Sequence, residues 1–330
     1  MRTKVLIIGG AGFIGCNLAK YLIENRDYEI TVTDNLSRGQ MDNDFSELLL
    51  SRDIKFIEGD FTNPETFRFL DSKYDYVYML ASVVGVDNTL DKPHEVIRIN
   101  TLLIINVLEW IKRSEIGKVL FTSTSENYAG TVDAFNYKVP TSEEVPLSII
   151  DIAHPRYTYA VTKILGESGF LNYSRMLNFD CTIVRYHNVF GPRMGFKHVI
   201  PHLVERFYNN ENPFKIYGAN QTRAFCYITD AITGLLKVVL DGKKGEVYNI
   251  GNPSPEVSIL DIVQSIQQVL KRDIPFEVIQ YPESYPSDEP HRRCPDIQKA
   301  KDEINYNPEI NFNEGLKRFL TWTGANYEGK

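Results

Sequence analysis

Tyr159 and Lys163 stand four residues apart in Tyr159-Ala160-Val161-Thr162-Lys163, so a helix stacks a phenol and an ammonium group on one face. A cation beside the phenol, with a positively charged nicotinamide ring nearby, favours the phenolate, and a phenolate can take the proton of an alcohol. Lysine can also hold the nicotinamide ribose. Thr124, at the end of an apolar run, adds a hydroxyl that can share the substrate's hydrogen bond. Y-x-x-x-K by itself often arises by chance, with the tyrosine a core aromatic and the lysine a solvated charge. Its meaning depends on a cofactor site elsewhere in the chain.

Gly9, Gly12 and Gly15 supply that context. They form G-x-x-G-x-x-G directly after the apolar run Thr3–Ile8 and open a helical pattern bearing Ile14, Leu18, Tyr21 and Leu22, with Phe13 and Ile14 among the expected cofactor contacts. Glycine permits the tight turn and lets a pyrophosphate approach backbone N–H groups at the helix N-terminus. Asp34 closes a second strand, Glu29–Thr33, where a carboxylate can accept both hydroxyls of the adenosine ribose and repel a 2′-phosphate. That selects NAD over NADP, with Arg38 keeping NADP as an alternative. Asp34 could otherwise cap the turn Asn35-Leu36-Ser37. Asp60 and Phe61 follow a third strand, Ile54–Ile57, and a carboxylate there could meet the adenine amino group. Leu80, Ala81 and Ser82 end or follow a fourth strand, Tyr76–Leu80, where the cofactor crosses the crevice. Asn35 and Asn100 complete the expected cofactor set.

These groups need a scaffold. The four strands above, with Val119–Thr122 and Cys181–Arg185, alternate with helices that include Pro93–Arg113 and Thr158–Met176. The pattern predicts an α/β, Rossmann-like, doubly wound parallel sheet with right-handed crossovers and a smaller mixed α/β substrate-binding lobe. After Gly191-Pro192 the pattern becomes irregular, with strands at Phe214–Tyr217, Phe225–Ile228 and Val247–Ile250. Helices are predicted at Asp230–Leu240, Ser258–Leu270 and Asn313–Thr323. Tyr281–Pro295, with four prolines, reads as an ordered surface loop. Residues 1–185 are expected to form the NAD-binding domain, with a returning segment near 225–250. Residues 186–224 and 251–330 are expected to form the substrate lobe.

Composition narrows the class. With 43% hydrophobic and 24% charged residues in 330, the chain reads as an ordinary soluble protein. A net charge of −7 gives no general basic field for nucleic acid or an anionic membrane. No signal segment or membrane-length apolar run is visible. Cys16, Cys181, Cys226 and Cys294 lack metal-ligand spacing, so no metal is expected. They read as small core residues in a reducing cytoplasm.

The motifs GGAGFIG (Gly9–Gly15), DNLSRG (Asp34–Gly39), STSENY (Ser123–Tyr128), YAVTK (Tyr159–Lys163), RYHNVFGPR (Arg185–Arg193), QTRAFCYITD (Gln221–Asp230) and RRCPD (Arg292–Asp296) span nearly the whole chain. Together they resemble the extended short-chain dehydrogenase/reductase family that acts on nucleotide sugars. Ile8 stands where many members have threonine. The resemblance implies NAD as cofactor and proton abstraction from a sugar hydroxyl, usually at C4, with Thr124, Tyr159 and Lys163 as the machinery. It also implies that Asn188, Arg223 and Arg293 grip the diphosphate or sugar. Ser125, Val199 and Tyr217 join the expected substrate contacts. The two long helices resemble those that members pair in a homodimer.

Glu126 discriminates among reactions. T-S-E looks like the triplet of nucleotide-sugar 4,6-dehydratases, where a carboxylate removes the C5 proton, and of uronic acid decarboxylases, where Arg223 would guide the carboxylate. The reading adopted from sequence is an enzyme of unusual-sugar or surface-polysaccharide biosynthesis. It forms a 4-keto nucleotide sugar, as a 4-dehydrogenase or 4,6-dehydratase. A UDP-uronic acid decarboxylase and a 4-epimerase are the alternatives, and a non-catalytic NAD-binding redox sensor is the alternative of another class.

Overall fold

Val5, Leu6, Ile7 and Ile8 are almost wholly excluded from solvent, because strand β1 (Thr3–Ile8) is covered on both faces. The computed structural model describes residues 2–24, 27–280 and 292–327. Five further strands follow in chain order: β2 (Tyr28–Asp34), β3 (Ile54–Glu58), β4 (Lys73–Met79), β5 (Glu115–Thr124) and β6 (Asp180–Tyr186). The main sheet has seven strands in the order Val247–Ile250, β6, β5, β4, β1, β2, β3, all parallel. This is the α/β Rossmann-like architecture read from the alternation of elements.

The chain builds outward from β1 to β3, then crosses back to start β4 on the other side. The strand order therefore reverses between β1 and β4, and a crevice opens beyond their carboxyl ends. On one face Leu103, Ile104, Val107 and Leu108 of helix Pro93–Ile111 pack with Phe170 of helix Thr158–Leu177. On the other face Leu18 and Leu22 of helix Phe13–Glu24 pack in one core with Ile232 and Leu235 of helix Ile228–Asp241.

Several elements differ from the sequence reading. Strand β5 extends beyond Val119–Thr122 at both ends. Its Lys118 is buried but satisfied, Nζ donating to the Gly242 carbonyl at 2.7 Å. The expected strand Phe225–Ile228 is shortened to Cys226–Tyr227, Ile228 already begins the helix, and a separate strand, Thr222–Ala224, precedes it. Short helices at Asn43–Leu48, Val86–Asp91 and Gln298–Ile304 were not foreseen, being too brief to show a period. Of the expected loop Tyr281–Pro295, residues 281–291 lie outside the described residues. Its end is not loop: Arg292–Arg293 is a strand that pairs parallel to Thr222–Arg223, whose other neighbour is Glu256–Ser258.

One buried ion pair ties the sheet to the helix that carries Tyr159 and Lys163. Glu167 Oε1 accepts from Ser123 Oγ (2.5 Å), Asn127 Nδ2 (2.9 Å) and Arg185 Nε (2.9 Å), while Oε2 accepts from Arg185 Nη2 (2.6 Å). Both side chains are about 5% exposed. Breaking such a pair strands a buried charge, at a cost of about 3–5 kcal/mol. Glu167→Ala is expected to lower the denaturant midpoint by that equivalent. Glu314→Ala, which breaks a pair over 40% exposed, should cost less than ~1 kcal/mol in the same measurement.

Candidate active site

The glycine turn has no room for side chains where it meets the sheet. Gly9 has φ +90, and a Cβ on it would lie 2.6 Å from the Ala81 amide nitrogen. A Cβ on Gly15 would lie 2.5 Å from the Gly9 carbonyl oxygen. Gly12 meets only the Gly9 carbonyl, at 3.3 Å, so its bare face is open to the cleft. Phe13 and Ile14 begin the helix, half-buried. This cradle at a helix N-terminus fits a dinucleotide pyrophosphate.

Asp34 caps the turn and leaves room for the second job considered for it. Its carboxylate accepts from the Leu36 amide (2.9 Å) and the Ala11 amide (3.1 Å), which caps the turn, and each oxygen keeps a lone pair for a ribose hydroxyl. Burial pushes its carboxyl up, and those two amides pull it back. Asn35 accepts from the Ser37 amide at 3.1 Å. The Arg38 head faces Val84 and His198 instead of Asp34, which takes from the NADP alternative the cation it needed.

Asp60 holds the Thr62 amide at 2.9 Å, and Phe61 stacks edge-on against Phe67. Asn106, unforeseen, anchors this loop by donating to the Phe61 and Thr62 carbonyls at 3.1 and 2.8 Å. The Leu80 and Ala81 amides both donate to the Ile8 carbonyl. Asn100 is placed beneath the cofactor loop. Its Oδ1 accepts from the Val83 amide (2.7 Å) and Ser82 Oγ (3.2 Å), and its Nδ2 donates to the Val83 carbonyl and Thr162. It shapes Ser82–Val83 from below.

The Tyr159 phenol lies near the hydroxyls of Thr124 and Ser82. Burial, followed by the Glu126 charge, holds the phenol well above its usual range, while Arg38 pulls the other way. Lys163 is buried beneath it. Nζ donates to the Thr122 carbonyl at 2.8 Å and lies 5.7 Å from the Tyr159 ring centre. Burial pushes the ammonium down to about 7, opposed by Glu167.

Glu126, one residue beyond Ser125, forms a bidentate pair with Arg293, with Nη2 to Oε2 at 2.9 Å. Burial pushes the Glu126 carboxyl up, but Arg293, then Arg156 and Arg223, outweigh it and hold the group below its usual range. Arg156, in the turn His154-Pro155-Arg156 just before the Tyr159 helix, was missed; HPRYTY was the available signal. Arg223 is buried, with Nη1 donating to its neighbour Thr222's carbonyl at 2.9 Å. Asn188 spends its amide on the Ala224 carbonyl at 2.9 Å, which steadies the strand that carries Arg223. A small pocket opens beside Ser125 and Arg293, lined also by Tyr128, His187 and Cys294.

The structure thus gathers Ser82, Thr124, Ser125, Glu126, Tyr159, Lys163, Arg223 and Arg293 around the sheet's carboxyl edge. Val199 and Tyr217 sit on separate elements, at the start of helix Val199–Tyr208 and the end of strand Phe214–Tyr217.

A doubly wound sheet with a glycine cradle and a Thr–Tyr–Lys constellation at its switch point defines a dinucleotide-dependent oxidoreductase fold. The chain belongs to the NAD-dependent epimerase/dehydratase family, whose model matches residues 5–251, and it is an NAD-dependent enzyme. It is 32% identical to the UDP-N-acetyl-alpha-D-glucosaminuronate decarboxylase of Bacillus cytotoxicus, over 98% of each chain. It is 29% identical to UDP-glucuronic acid decarboxylase 6 of Arabidopsis thaliana, over 96% of this chain and 87% of that one. Among solved structures, a UDP-glucuronic acid 4-epimerase variant from Bacillus cereus, in complex with UDP-4-deoxy-4-fluoro-glucuronic acid and NAD, superposes with TM-score 0.85. That similarity has 26% identity and covers 98% and 99% of the two chains.

Lys163 gives a stability test with a definite sign. Its ammonium sits at about 7 in the folded protein against 10.5 when free, so between those values the unfolded chain binds more protons. Stability should therefore rise with pH from ~7 to ~10 relative to Lys163→Met. Urea midpoints of the two proteins at either end of that window check it; parallel curves would show Lys163 to be fully charged.

Proposed function

We propose that the protein is a UDP-hexuronic acid decarboxylase that acts through oxidation at C4. The observation that carries this reading is the setting of Glu126: one carboxylate facing Arg293, Arg156 and Arg223 beside the Tyr159 phenol. One anion among three guanidinium groups leaves net positive charge, which suits a substrate carrying a carboxylate as well as a diphosphate. The relatives named for decarboxylation of UDP-hexuronic acids support it.

Tyr159 as phenolate takes the C4 hydroxyl proton, with Thr124 sharing the hydrogen bond. Bound NAD supplies the hydride acceptor at C4 and the hydride donor that closes the cycle. A C4 carbonyl is β to the C6 carboxylate, so the C5–C6 bond breaks, carbon dioxide leaves and the electron pair passes to the C4 oxygen. The protonated phenol and the Thr124 hydroxyl then donate to that oxygen as charge develops on it. A solvent proton goes to C5, and the net change is a hexuronate plus a proton giving a pentose plus carbon dioxide. Lys163, beneath the phenol, is placed to hold the nicotinamide ribose.

Dehydration fits less well. Loss of water across C5–C6 needs a base for the C5 proton and an acid for the departing hydroxyl. Glu126, kept ionised and gripped by Arg293, is weak as either, and residue 125 is a serine. The reading from sequence therefore shifts from dehydrogenase or dehydratase to its decarboxylase alternative. We further propose a homodimer through Pro93–Ile111 and Thr158–Leu177, whose Ile97, Leu102, Ile105, Val161 and Leu165 are exposed. A reducing cytoplasm remains the expected setting for four buried, free cysteines.

Mass spectrometry of products from UDP-glucuronic acid and UDP-N-acetylglucosaminuronic acid is the test. The expected product is a UDP-pentose or its 2-acetamido counterpart, lighter by carbon dioxide. Arg156→Gln should raise KM for these acids by ~10-fold or more and leave neutral UDP-sugars unaffected. Unchanged product mass, or loss of water from UDP-glucose, would overturn the proposal.

A further inference from the structure

Two adjacent arginines on one short strand face opposite ways. Side chains alternate across a strand, so Arg292 and Arg293 project from its two sides. Arg293 turns inward and grips Glu126 with Nη1 and Nη2, the latter meeting Oε2 at 2.9 Å, and its side chain is only 14% exposed. Arg292 turns outward. Its Nε and Nη2 donate to the two carboxylate oxygens of Glu256 at 2.8 and 2.5 Å, and its Nη1 donates to the Val139 carbonyl, also at 2.8 Å.

These contacts join three parts of the chain. Glu256 opens strand Glu256–Ser258, which runs antiparallel to Thr222–Ala224. On the other side of that central strand, Arg292 pairs with Thr222 and Arg293 with Arg223. Thr222 Oγ1 faces Glu256 Oε2 at 3.4 Å, so Thr222, Glu256 and Arg292 share the outer face. Arg223 is left beside Arg293 on the inner one. Just past the strand, the Thr141 amide donates to the Cys294 carbonyl and the Asp296 amide to the Thr141 carbonyl, both at 3.0 Å. Arg293 is therefore held between two anchors, the Arg292 fork before it and the Thr141 bridge after it. A strand of two residues has few ladder bonds to fix its register, and the fork adds the missing constraint. Arg292 is 47% exposed, and an exposed pair adds little to stability. What the bidentate fork contributes is geometry, fixing angle as well as distance.

We propose that Glu256 and Arg292 are positioning residues for substrate recognition: their clasp sets the strand from which Arg293 meets Glu126 and, beside Arg223, the carboxylate of a hexuronate. The proposal rests on the decarboxylase reading above, in which that arginine cluster receives the substrate's carboxylate. Recognition of an acidic sugar then depends on a pair that lies on the opposite side of the strand from Glu126.

The test is a mutant cycle on KM. Steady-state decarboxylation of UDP-glucuronic acid by the full chain is measured for wild type, E256Q, R292Q, R293Q and the R292Q/R293Q double variant. R293K replaces R293Q if loss of the charge beside Glu126 prevents folding. R292Q and E256Q are expected to raise KM by about 5-fold with kcat within about 2-fold of wild type, and R293Q to raise KM by about 10-fold or more. Adding R292Q to R293Q should change KM by less than about 2-fold, because the clasp acts through Arg293. Denaturant midpoints of R292Q and E256Q should stay near wild type. An unchanged KM in R292Q overturns the proposal. So does an equal rise in the R293Q background, which a merely structural role would give. If the wild type converts a nucleotide sugar without releasing carbon dioxide, the decarboxylase reading fails, and the same cycle on that sugar judges the clasp separately.

Discussion

Glu167 and Arg185 meet in the interior at 2.6 and 2.9 Å, and the placement of the reacting groups follows from that pair. Glu167 stands one turn beyond Lys163, so its position fixes the rotation of the helix that presents Tyr159. Through Ser123 it fixes the end of β5, the residue before Thr124; through Asn127 it fixes the turn that carries Glu126. Arg185 continues the network to the Tyr128 hydroxyl at 2.8 Å, which reaches Asn249 of the edge strand, also at 2.8 Å. Phenol, hydroxyl and carboxylate come from three parts of the chain and are held to one frame by buried, satisfied polar contacts.

The second constraint is charge. A carboxylate facing three arginines is a poor proton shuttle but a good organiser, since it binds Arg293 bidentately and keeps the cluster from dispersing. The Tyr159 phenol, pushed up by burial and by Glu126, is a reluctant acid in isolation. Lys163, beneath the ring, is itself held down to about 7 by burial, opposed by Glu167.

The fold was legible because central parallel strands are buried on both faces and read as unbroken apolar runs, as in Val5–Ile8. The glycine turn and the Tyr159–Lys163 spacing were legible because geometry restricts which residues fit. The rest was hidden for physical reasons. Arg156 carries no periodic signature, and its relevance arises only when a short turn sets it near Glu126. Strand β5 begins before Val119 because the charged Lys118 is buried with its ammonium on the Gly242 carbonyl, a partner 124 residues away. The Glu126–Arg293 pair joins residues 167 apart, through a two-residue strand that no propensity would announce. Asn100 and Asn188 donate to the Val83 and Ala224 carbonyls, and such backbone partners carry no sequence signature.

In the proposed reaction one carbinol, at C4, surrenders its hydrogen as hydride while Tyr159 takes its proton. A single turnover with a nucleotide sugar deuterated at C4, followed by mass spectrometry of the cofactor, tests it most directly. Reduced cofactor trapped before completion is expected to carry the deuterium, and the label to be back on C4 in the finished product. Product formed while the cofactor stays unlabelled throughout would contradict it.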